Sequence, residues 1–193
     1  MIEIPFSVGM VLLLCGWTLF RLTAFLHRKQ INWKYEGIQL FFLVNLAVIF
    51  RFAFFPFSTV NGQIQPLIFD VATAFPFRIN LVPFVNLLDY DSSFDLLINI
   101  IGNFAMFIPT GILLPLIYKP ITTFQTVFLT GAAISFVIEI IQLPFAVRAS
   151  DIDDFILNTA GCLVGYCIYS ANRWFRSKCI KNMENPACET DVL

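Results

Sequence analysis

The sequence contains few charged residues. Only 13% of its 193 residues are Asp, Glu, Lys or Arg, and 58% are hydrophobic, whereas a soluble domain is about 25% charged. Several separate apolar runs of about 20 residues follow one another, which is the length that crosses a bilayer. The composition therefore excludes an ordinary soluble domain. It predicts an all-α, polytopic membrane helix bundle in the cell membrane, with the lipid bilayer as its first partner and no nucleic-acid partner.

The motifs of several common chemistries are also missing. The chain has one histidine, His27, and five cysteines with no CxxC pair, so neither a Cys/His zinc site nor a disulfide framework is predicted. It contains no Walker loop and no GxGxxG sequence, and therefore none of the phosphate-cradling glycine loops. The sequence thus contains no recognisable nucleotide-binding loop.

The apolar runs define the predicted domain organisation. We expect about five transmembrane helices in one membrane domain over residues 1–171, followed by a cytoplasmic tail over residues 172–193. The predicted spans lie near residues 4–26, 36–57, 95–118, 121–142 and 153–171. The first run has basic residues after it and none before it, which is the reverse of a cleaved signal peptide and predicts a retained helix.

Residues 58–94 do not fit a transmembrane span. Asn61-Gly62 and three prolines interrupt the segment, yet it is too apolar for a free loop. We expect it to lie in the membrane interface or to re-enter the bilayer. Its aromatic part, residues 64–85, offers apolar contacts at the membrane surface.

The distribution of basic residues predicts the orientation. With five spans and the N-terminus outside, the inner side holds most of the Lys and Arg residues, as the positive-inside rule requires. The inner set is Arg21, Arg28, Lys29, Lys34, Lys119, Arg173, Arg176, Lys178 and Lys181, and the outer set is Arg51, Arg78 and Arg148. The N-terminus is therefore predicted outside and the C-terminus in the cytoplasm.

Polar residues recur at helical spacing near the predicted outer ends of three spans. Residues four apart, or three and four apart, share one face of a helix, and polar groups on such a face either bind neighbouring helices or line a site. The three stripes are Asp95, Asn99 and Asn103; Ser135, Glu139 and Gln142; and Asp154, Asn158, Gly161 and Gly165. For Asn103 alone, helix packing is the preferred interpretation, whereas the stripe as a whole favours a polar cleft.

The turn between the last two spans has the highest density of ionisable groups. Residues 139–158 carry a glutamate, three aspartates and Arg148 around Pro144. One aspartate suffices to cap a helix, so the cluster exceeds that need. Together with the stripes it predicts an outward-facing acidic cleft that binds a ligand.

The predicted ligand-binding residues come from that cluster, from the stripes and from the 58–94 segment. They are Arg78, Asn80, Asp95, Asn99, Glu139, Gln142, Arg148, Asp151, Asp154 and Asn158. If the protein is an enzyme, Glu139 and Asp154 are the best catalytic candidates, since carboxyl groups serve as general acids and bases. No metal or other cofactor is expected. A divalent cation at Asp151, Asp153 and Asp154 is the alternative, although the cluster lacks the glycine and the distal glutamate of a calcium loop.

The ordered set of motifs resembles the VanZ-like family. The shared pattern is Arg78-x-Asn80-Leu81-x-Pro83-Phe84, Asp95-x-x-x-Asn99-x-x-x-Asn103, Phe107-x-Pro109-x-Gly111, Ser135-x-x-x-Glu139-x-x-Gln142, Arg148, and Asp151 to Asp154 with Asn158, Gly161 and Gly165. The resemblance covers about residues 36–171. It implies an integral protein of Gram-positive-type envelopes that lowers susceptibility to teicoplanin-type lipoglycopeptides and not to vancomycin. It supplies no catalytic roles.

Three functional hypotheses follow. The first is a non-enzymatic protein that sequesters the acyl chain of a lipoglycopeptide or masks a lipid-linked cell-wall precursor, with residues 64–85 as the apolar contact. The second is a membrane enzyme acting on a lipid-linked envelope substrate at the outer leaflet, with Arg78 and Arg148 on phosphate. The third is a transporter or flippase, which the clustering of polar groups at one end disfavours.

A purely structural interpretation accompanies all three hypotheses. The acids and arginines pair with one another, Glu139 with Arg51 or Arg148 and Asp154 with Arg78, and hold the helix ends together. Arg51 is then a buried counter-ion instead of a side chain that reaches toward the interface. The sequence alone does not separate a pairing network from a binding site.

Overall fold

The computed structural model describes residues 2–28, 31–56, 59–70, 79–85, 93–145 and 150–184. These residues form five α-helices and six short strands. The helices are α1 (Phe6–Arg28), α2 (Trp33–Phe54), α3 (Ser93–Ile117), α4 (Phe124–Gln142) and α5 (Ile152–Glu184). The strands lie before α1, between α2 and α3, and between α4 and α5. The all-α bundle predicted from the sequence is confirmed.

Local sequence signals explain where α2 and α4 begin and end. The Asn32 side chain accepts the backbone N–H groups of Lys34 and Tyr35 at 3.1 and 3.3 Å, which caps α2. This helix ends at Phe54, earlier than predicted, because Pro56 forces the preceding residue into an extended conformation. Thr123 caps α4 through a reciprocal capping box.

Four helices of the described residues are long and apolar enough to cross a membrane: Phe6–His27, Trp33–Phe54, Leu96–Ile117 and Phe124–Gln142. They make the chain a multi-pass membrane protein. The fifth predicted span is helical, but Asp153, Asp154 and Asn158 in its first turns reduce its hydropathy, and it is not among the four. It also continues as a helix to Glu184, beyond the predicted end at residue 171.

Short strands gather the connecting segments at one end of the bundle. Strand β1 (Ile2–Ile4) pairs antiparallel with β4 (Leu67–Phe69), and Phe69 also bridges to Phe145 just after α4. The residues before α1 and after α2 and α4 therefore meet at the end where α3 and α5 begin. We call this the polar end. Whether it faces outward remains a prediction from the charge distribution.

The described parts of the 58–94 segment that precede α3 contain strands and no helix. Strands β2 (Thr59–Val60) and β3 (Gln63–Ile64) form a hairpin. Its two turn residues, Asn61 and Gly62, have positive φ angles of 53° and 74°, as a two-residue hairpin turn with positive φ at both positions requires. Strand β5 (Ile79–Asn80) pairs in parallel with β6 (Ser150–Asp151). Re-entry of this segment into the bilayer remains a prediction.

Helices α3 and α5 are in direct backbone contact. A Cβ atom added at Gly161 would collide with the carbonyl oxygen of Phe104, and one at Gly165 would collide with that of Ile108. Gly111 on α3 is equally close to the backbone of α5. Glycines at this spacing let two membrane helices approach each other closely, so α3 and α5 form the central pair of the bundle.

Helix α1 lies at the periphery. Its contacts with α2 include Gly9 against the ring of Phe50 and an ion pair between Arg21 and Glu36 at 2.5 Å. Most of its large side chains face outward, which suits a helix surrounded by lipid.

Candidate functional site

Four helices meet around a small polar cavity at the polar end of the bundle. The cavity has a volume of about 40 Å³, room for a small polar group or a few water molecules. Its apolar lining comes from α2, α3 and α4: Phe52, Ala53, Met106 and Ile138. Its polar lining comes from α3, α4 and α5: Asn99, Asn103, Glu139, Gln142, Asp154 and Asn158.

Two buried amides connect the helices around this cavity. Gln142 donates through Nε2 to the carbonyl oxygen of Ala53 at 2.5 Å, which links α4 to α2. Asn158 donates through Nδ2 to Ser135 Oγ at 3.0 Å, which links α5 to α4. The amide oxygens, Gln142 Oε1 and Asn158 Oδ1, are buried and accept no hydrogen bond from any described residue, although such oxygens are almost always paired in proteins.

The two carboxylates of the cavity accept hydrogen bonds from other elements. Glu139 is 4% exposed and accepts the backbone N–H of Asp151 through Oε2 at 2.9 Å. Asp154 accepts a hydrogen bond from Nδ2 of Asn103, and this bond links α5 to α3. Each carboxylate thus fixes the position of a neighbouring segment as well as lining the cavity.

Strands β5 and β6 lie next to the N-terminal end of α5. Asn80 donates through Nδ2 to Asp151 Oδ1 at 3.2 Å. Both oxygens of Asp153 accept the backbone N–H of Phe84 at 3.0 Å, and Phe84 has a φ of 67°, which is uncommon for a residue with a Cβ. Residues 79–85 are therefore fastened to the beginning of α5.

The three aspartates have different structural tasks. Asp151 Oδ1 accepts the N–H of Asp153 at 3.0 Å, as a helix-capping residue does. Asp153 is buried and binds Phe84, whereas Asp154 binds Asn103. No group of three or more His, Cys, Asp or Glu side chains suited to a metal ion occurs among the described residues, so the alternative of a divalent cation at these aspartates gains no support.

The structure brings several of the predicted ligand-binding residues together. Asn99, Glu139, Gln142, Asp154 and Asn158 line the cavity, and Asn80 and Asp151 lie in the paired strands beside it. What the described residues enclose at this place is a small cavity, and an outward-facing cleft remains a prediction. Arg78, Arg148 and the side chain of Asp95 lie outside the described residues.

Arg51 is not the counter-ion of Glu139. Its guanidinium donates to the carbonyl oxygens of Phe55 and Pro56 at 3.2 and 3.0 Å. These contacts satisfy carbonyl groups at the C-terminus of α2, a favourable place for a cation. The interpretation of Arg51 as a partner of Glu139 is therefore wrong. The pairings suggested for the other two outer arginines fall outside the described residues.

A larger groove between α2 and α3 was not predicted from the sequence. It has a volume of about 830 Å³ and its walls are mainly apolar. Asn45 lies in it and joins the two helices, donating to the carbonyl of Met106 at 2.8 Å and accepting from Thr110 Oγ1 at 2.6 Å. The signal for it in the sequence is Asn45 itself, a lone amide within an apolar run. The groove and the polar cavity share four lining residues, Phe52, Asn99, Asn103 and Met106.

The fold and this site define a class: a multi-pass membrane protein with a polar cavity where four helices meet at one end. The VanZ/LLP1 family model matches residues 41–176. The chain belongs to the VanZ/LLP1 family, which confirms the family resemblance seen in the sequence.

A curated relative supports the same assignment. The chain is 42% identical over 69 residues to Protein VanZ of Enterococcus faecium. The matched segment is 36% of this chain, and it spans 42% of the length of the relative. No solved structure matches the chain.

Proposed function

We propose that this protein lowers susceptibility to teicoplanin-type lipoglycopeptide antibiotics and that it does so by binding, not by catalysis. Membership of the family supports the antibiotic class. The observation that carries the proposal is the convergence of six amide and carboxylate side chains on one cavity that shares its lining with a lipid-facing groove. This combination suits a ligand with a polar part and an acyl chain.

The hydrogen bonds of the carboxylates favour binding over catalysis. Glu139 accepts the backbone N–H of Asp151, and Asp154 accepts a hydrogen bond from the side chain of Asn103. A carboxylate that holds backbone in place contributes to the shape of a site, whereas a general acid or base must reach a proton of the substrate. We therefore assign these groups the role of positioning the cavity walls.

The orientation is part of the proposal. With the polar end outside, as the distribution of Lys and Arg predicts, the cavity lies at the level of the outer leaflet. A lipoglycopeptide with its acyl chain in that leaflet meets the protein there without crossing the membrane.

Cysteine labelling with a membrane-impermeant reagent in intact cells tests this orientation. Gln63 is exposed in β3, so the variant Gln63→Cys should gain a label at that position. The native Cys179 of α5 is also exposed but lies on the predicted inner side, and it should react only after the cells are opened. The reverse pattern would contradict the orientation.

Drug susceptibility tests the function directly. We expect expression in a sensitive Gram-positive host to raise the inhibitory concentration of teicoplanin severalfold and to leave that of vancomycin unchanged, because vancomycin lacks the acyl chain. Empty vector is the control, and membrane abundance is measured by immunoblot. Equal protection against both drugs would contradict recognition of an acyl chain, and protection against neither would contradict the proposed function as a whole.

A further inference from the structure

The groove between α2 and α3 has the length of one acyl chain in one leaflet. On α2 its lining runs from Phe41 to Phe52, which corresponds to about 16 Å at 1.5 Å per residue. One leaflet contributes about half of the 30 Å hydrocarbon core, or about 15 Å. The volume of about 830 Å³ falls within the range of small-molecule sites.

Buried hydrogen-bond acceptors lie next to the polar end of the groove. It adjoins the cavity in which Gln142 Oε1 and Asn158 Oδ1 have no partner among the described residues, and both residues are at most 3% exposed. Amide oxygens only accept hydrogen bonds. An N–H or O–H group satisfies them, whereas the oxygens of a phosphodiester do not. No Lys or Arg occurs among the described residues that line the groove or the cavity.

A second groove provides a comparison within the same molecule. It lies among α1, α2 and α4, has a volume of about 390 Å³, and is lined almost entirely by aliphatic and aromatic side chains, including Leu13, Phe50 and Ile134. Among its described lining residues one hydroxyl group occurs, on Thr130, and it already donates to the carbonyl of Thr126 at 2.7 Å. Any lipid chain can fill such a surface. Of these two grooves, only the one between α2 and α3 combines an apolar wall with buried acceptors at one end.

We infer that the α2–α3 groove binds the acyl chain of the lipoglycopeptide, with an N–H or O–H group next to the chain directed at the polar cavity. This inference rests on the proposed function and names the part of the drug that is recognised. It also replaces residues 64–85, the apolar contact expected from the sequence, by a groove within the helix bundle. Phosphatidylcholine is a disfavoured occupant, because it has no N–H or O–H group and its oxygens only accept hydrogen bonds.

Gly102 offers a way to fill the groove without disturbing the fold. It lines the groove, and a Cβ atom added there meets nothing within 4 Å. We expect Gly102→Leu to occupy the space of the acyl chain. Gly16 in α1 is the matched control, since it too is a helical glycine with open space around it and lies outside both grooves.

The test uses purified protein in nanodiscs and a long-chain monoacylglycerol, which has two hydroxyl groups, with a diazirine in its acyl chain. After irradiation, labelled residues are mapped by mass spectrometry. We expect labels on the α2 and α3 residues of the groove, competition by teicoplanin and not by vancomycin, and a loss of about tenfold or more in Gly102→Leu, as for excess volume in an apolar site. Gly16→Leu should label like the wild type.

A phosphatidylcholine probe with the same diazirine chain has no N–H or O–H group and should label the groove weakly.

The outcomes separate this inference from the proposed function. Equal labelling by both probes, or undiminished labelling of Gly102→Leu, overturns the inference and identifies the groove as a general lipid surface. If the wild type protects cells against teicoplanin and Gly102→Leu protects equally well, the function stands and the inference fails, because the acyl chain then binds elsewhere. If the wild type protects against neither drug while the labelling pattern is as expected, the proposed function fails and the groove binds another amphiphile with a donor head group.

Discussion

Helix α3 has two faces with opposite packing. Toward α5, glycines bring the two backbones into contact, so that Gly161 and Gly165 have no room for a methyl group. Toward α2, the same helix borders a groove of about 830 Å³, and Gly102 has open space. Glycine thus permits close packing against α5 on one face of α3 and forms part of an accessible groove wall on the other.

This difference indicates how the bundle divides its tasks. A dense helix pair contributes stability, because membrane helices associate largely through close packing and interhelical hydrogen bonds. Helices that border a groove lack this stabilising packing, and the space between them is available to a ligand. We therefore expect substitutions on the α5 side to act on folding and substitutions on the α2 side to act on binding.

The largest effect is expected at the α3–α5 contact. Gly161→Ala and Gly165→Ala each place a methyl group against a carbonyl oxygen, and the two helices must separate. We expect a loss of about 3 kcal/mol in the free energy of unfolding for each variant, measured by SDS titration in mixed micelles. A loss no larger than that of Gly16→Ala would show that this contact is looser than the structure indicates.

The next effect is expected where residues 79–85 join α5. Asp153→Ala removes the acceptor of the Phe84 N–H group, and hydrogen bonds to a charged group are worth about 2 kcal/mol. We expect hydrogen exchange in residues 79–85 to accelerate while exchange in the middle of α3 stays unchanged. Asp153→Asn keeps one acceptor oxygen, so its exchange rate should fall between those of the wild type and Asp153→Ala. Unchanged exchange in Asp153→Ala would mean that other contacts hold this segment.

A smaller effect is expected from the hydrogen bonds across the groove. Asn45→Leu removes the bonds to Met106 and Thr110, and such interhelical bonds contribute about 1 kcal/mol in membranes. The SDS titration should show a loss of that size. Gln39→Leu is the matched control, because Gln39 is a buried amide of the same helix whose Nε2 group bonds within α2 to Tyr35. Equal losses in the free energy of unfolding would show that the hydrogen bonds of Asn45 between helices stabilise the fold no more than a bond within α2.

The smallest effect is expected at Gly102. Gly102→Ala adds a methyl group to open space and replaces a poor helix former by a good one. Its free energy of unfolding should stay within about 0.5 kcal/mol of the wild type. The same substitution therefore has different consequences at the α3–α5 contact and in the groove. A loss as large as that of Gly161→Ala would contradict the groove.

The sequence predicts the helices well, because long apolar runs bounded by polar residues and prolines have few other solutions in a bilayer. It also predicts that Glu139, Gln142, Asp154 and Asn158 share a region, since helical spacing puts polar residues on one face of each helix. The predicted end of α2 at residue 57 is three residues too late. Pro56 restricts the conformation of the residue before it, so the helix ends at Phe54.

Other features depend on contacts between distant parts of the chain. The pairing of Asn80 with Asp151 joins residues 71 positions apart, and nothing in either short segment specifies the other. The groove arises from the space that α2 and α3 leave between them, which periodicity does not encode. Asn103 illustrates the same limit: its spacing favours a packing role, and in the structure it both binds Asp154 and lines the cavity.

Under the proposed function, the polar cavity acts on the drug and does not merely hold the helices together. The most direct measurement is teicoplanin susceptibility of cells expressing Glu139→Gln, Asp154→Asn or wild type, each normalised to folded protein in the membrane. Glu3→Gln, an exposed carboxylate in β1, is the matched control. We predict that both cavity variants lose protection at normal abundance while Glu3→Gln retains it. Full protection by both cavity variants would contradict the claim, and so would a loss of protection explained entirely by their disappearance from the membrane.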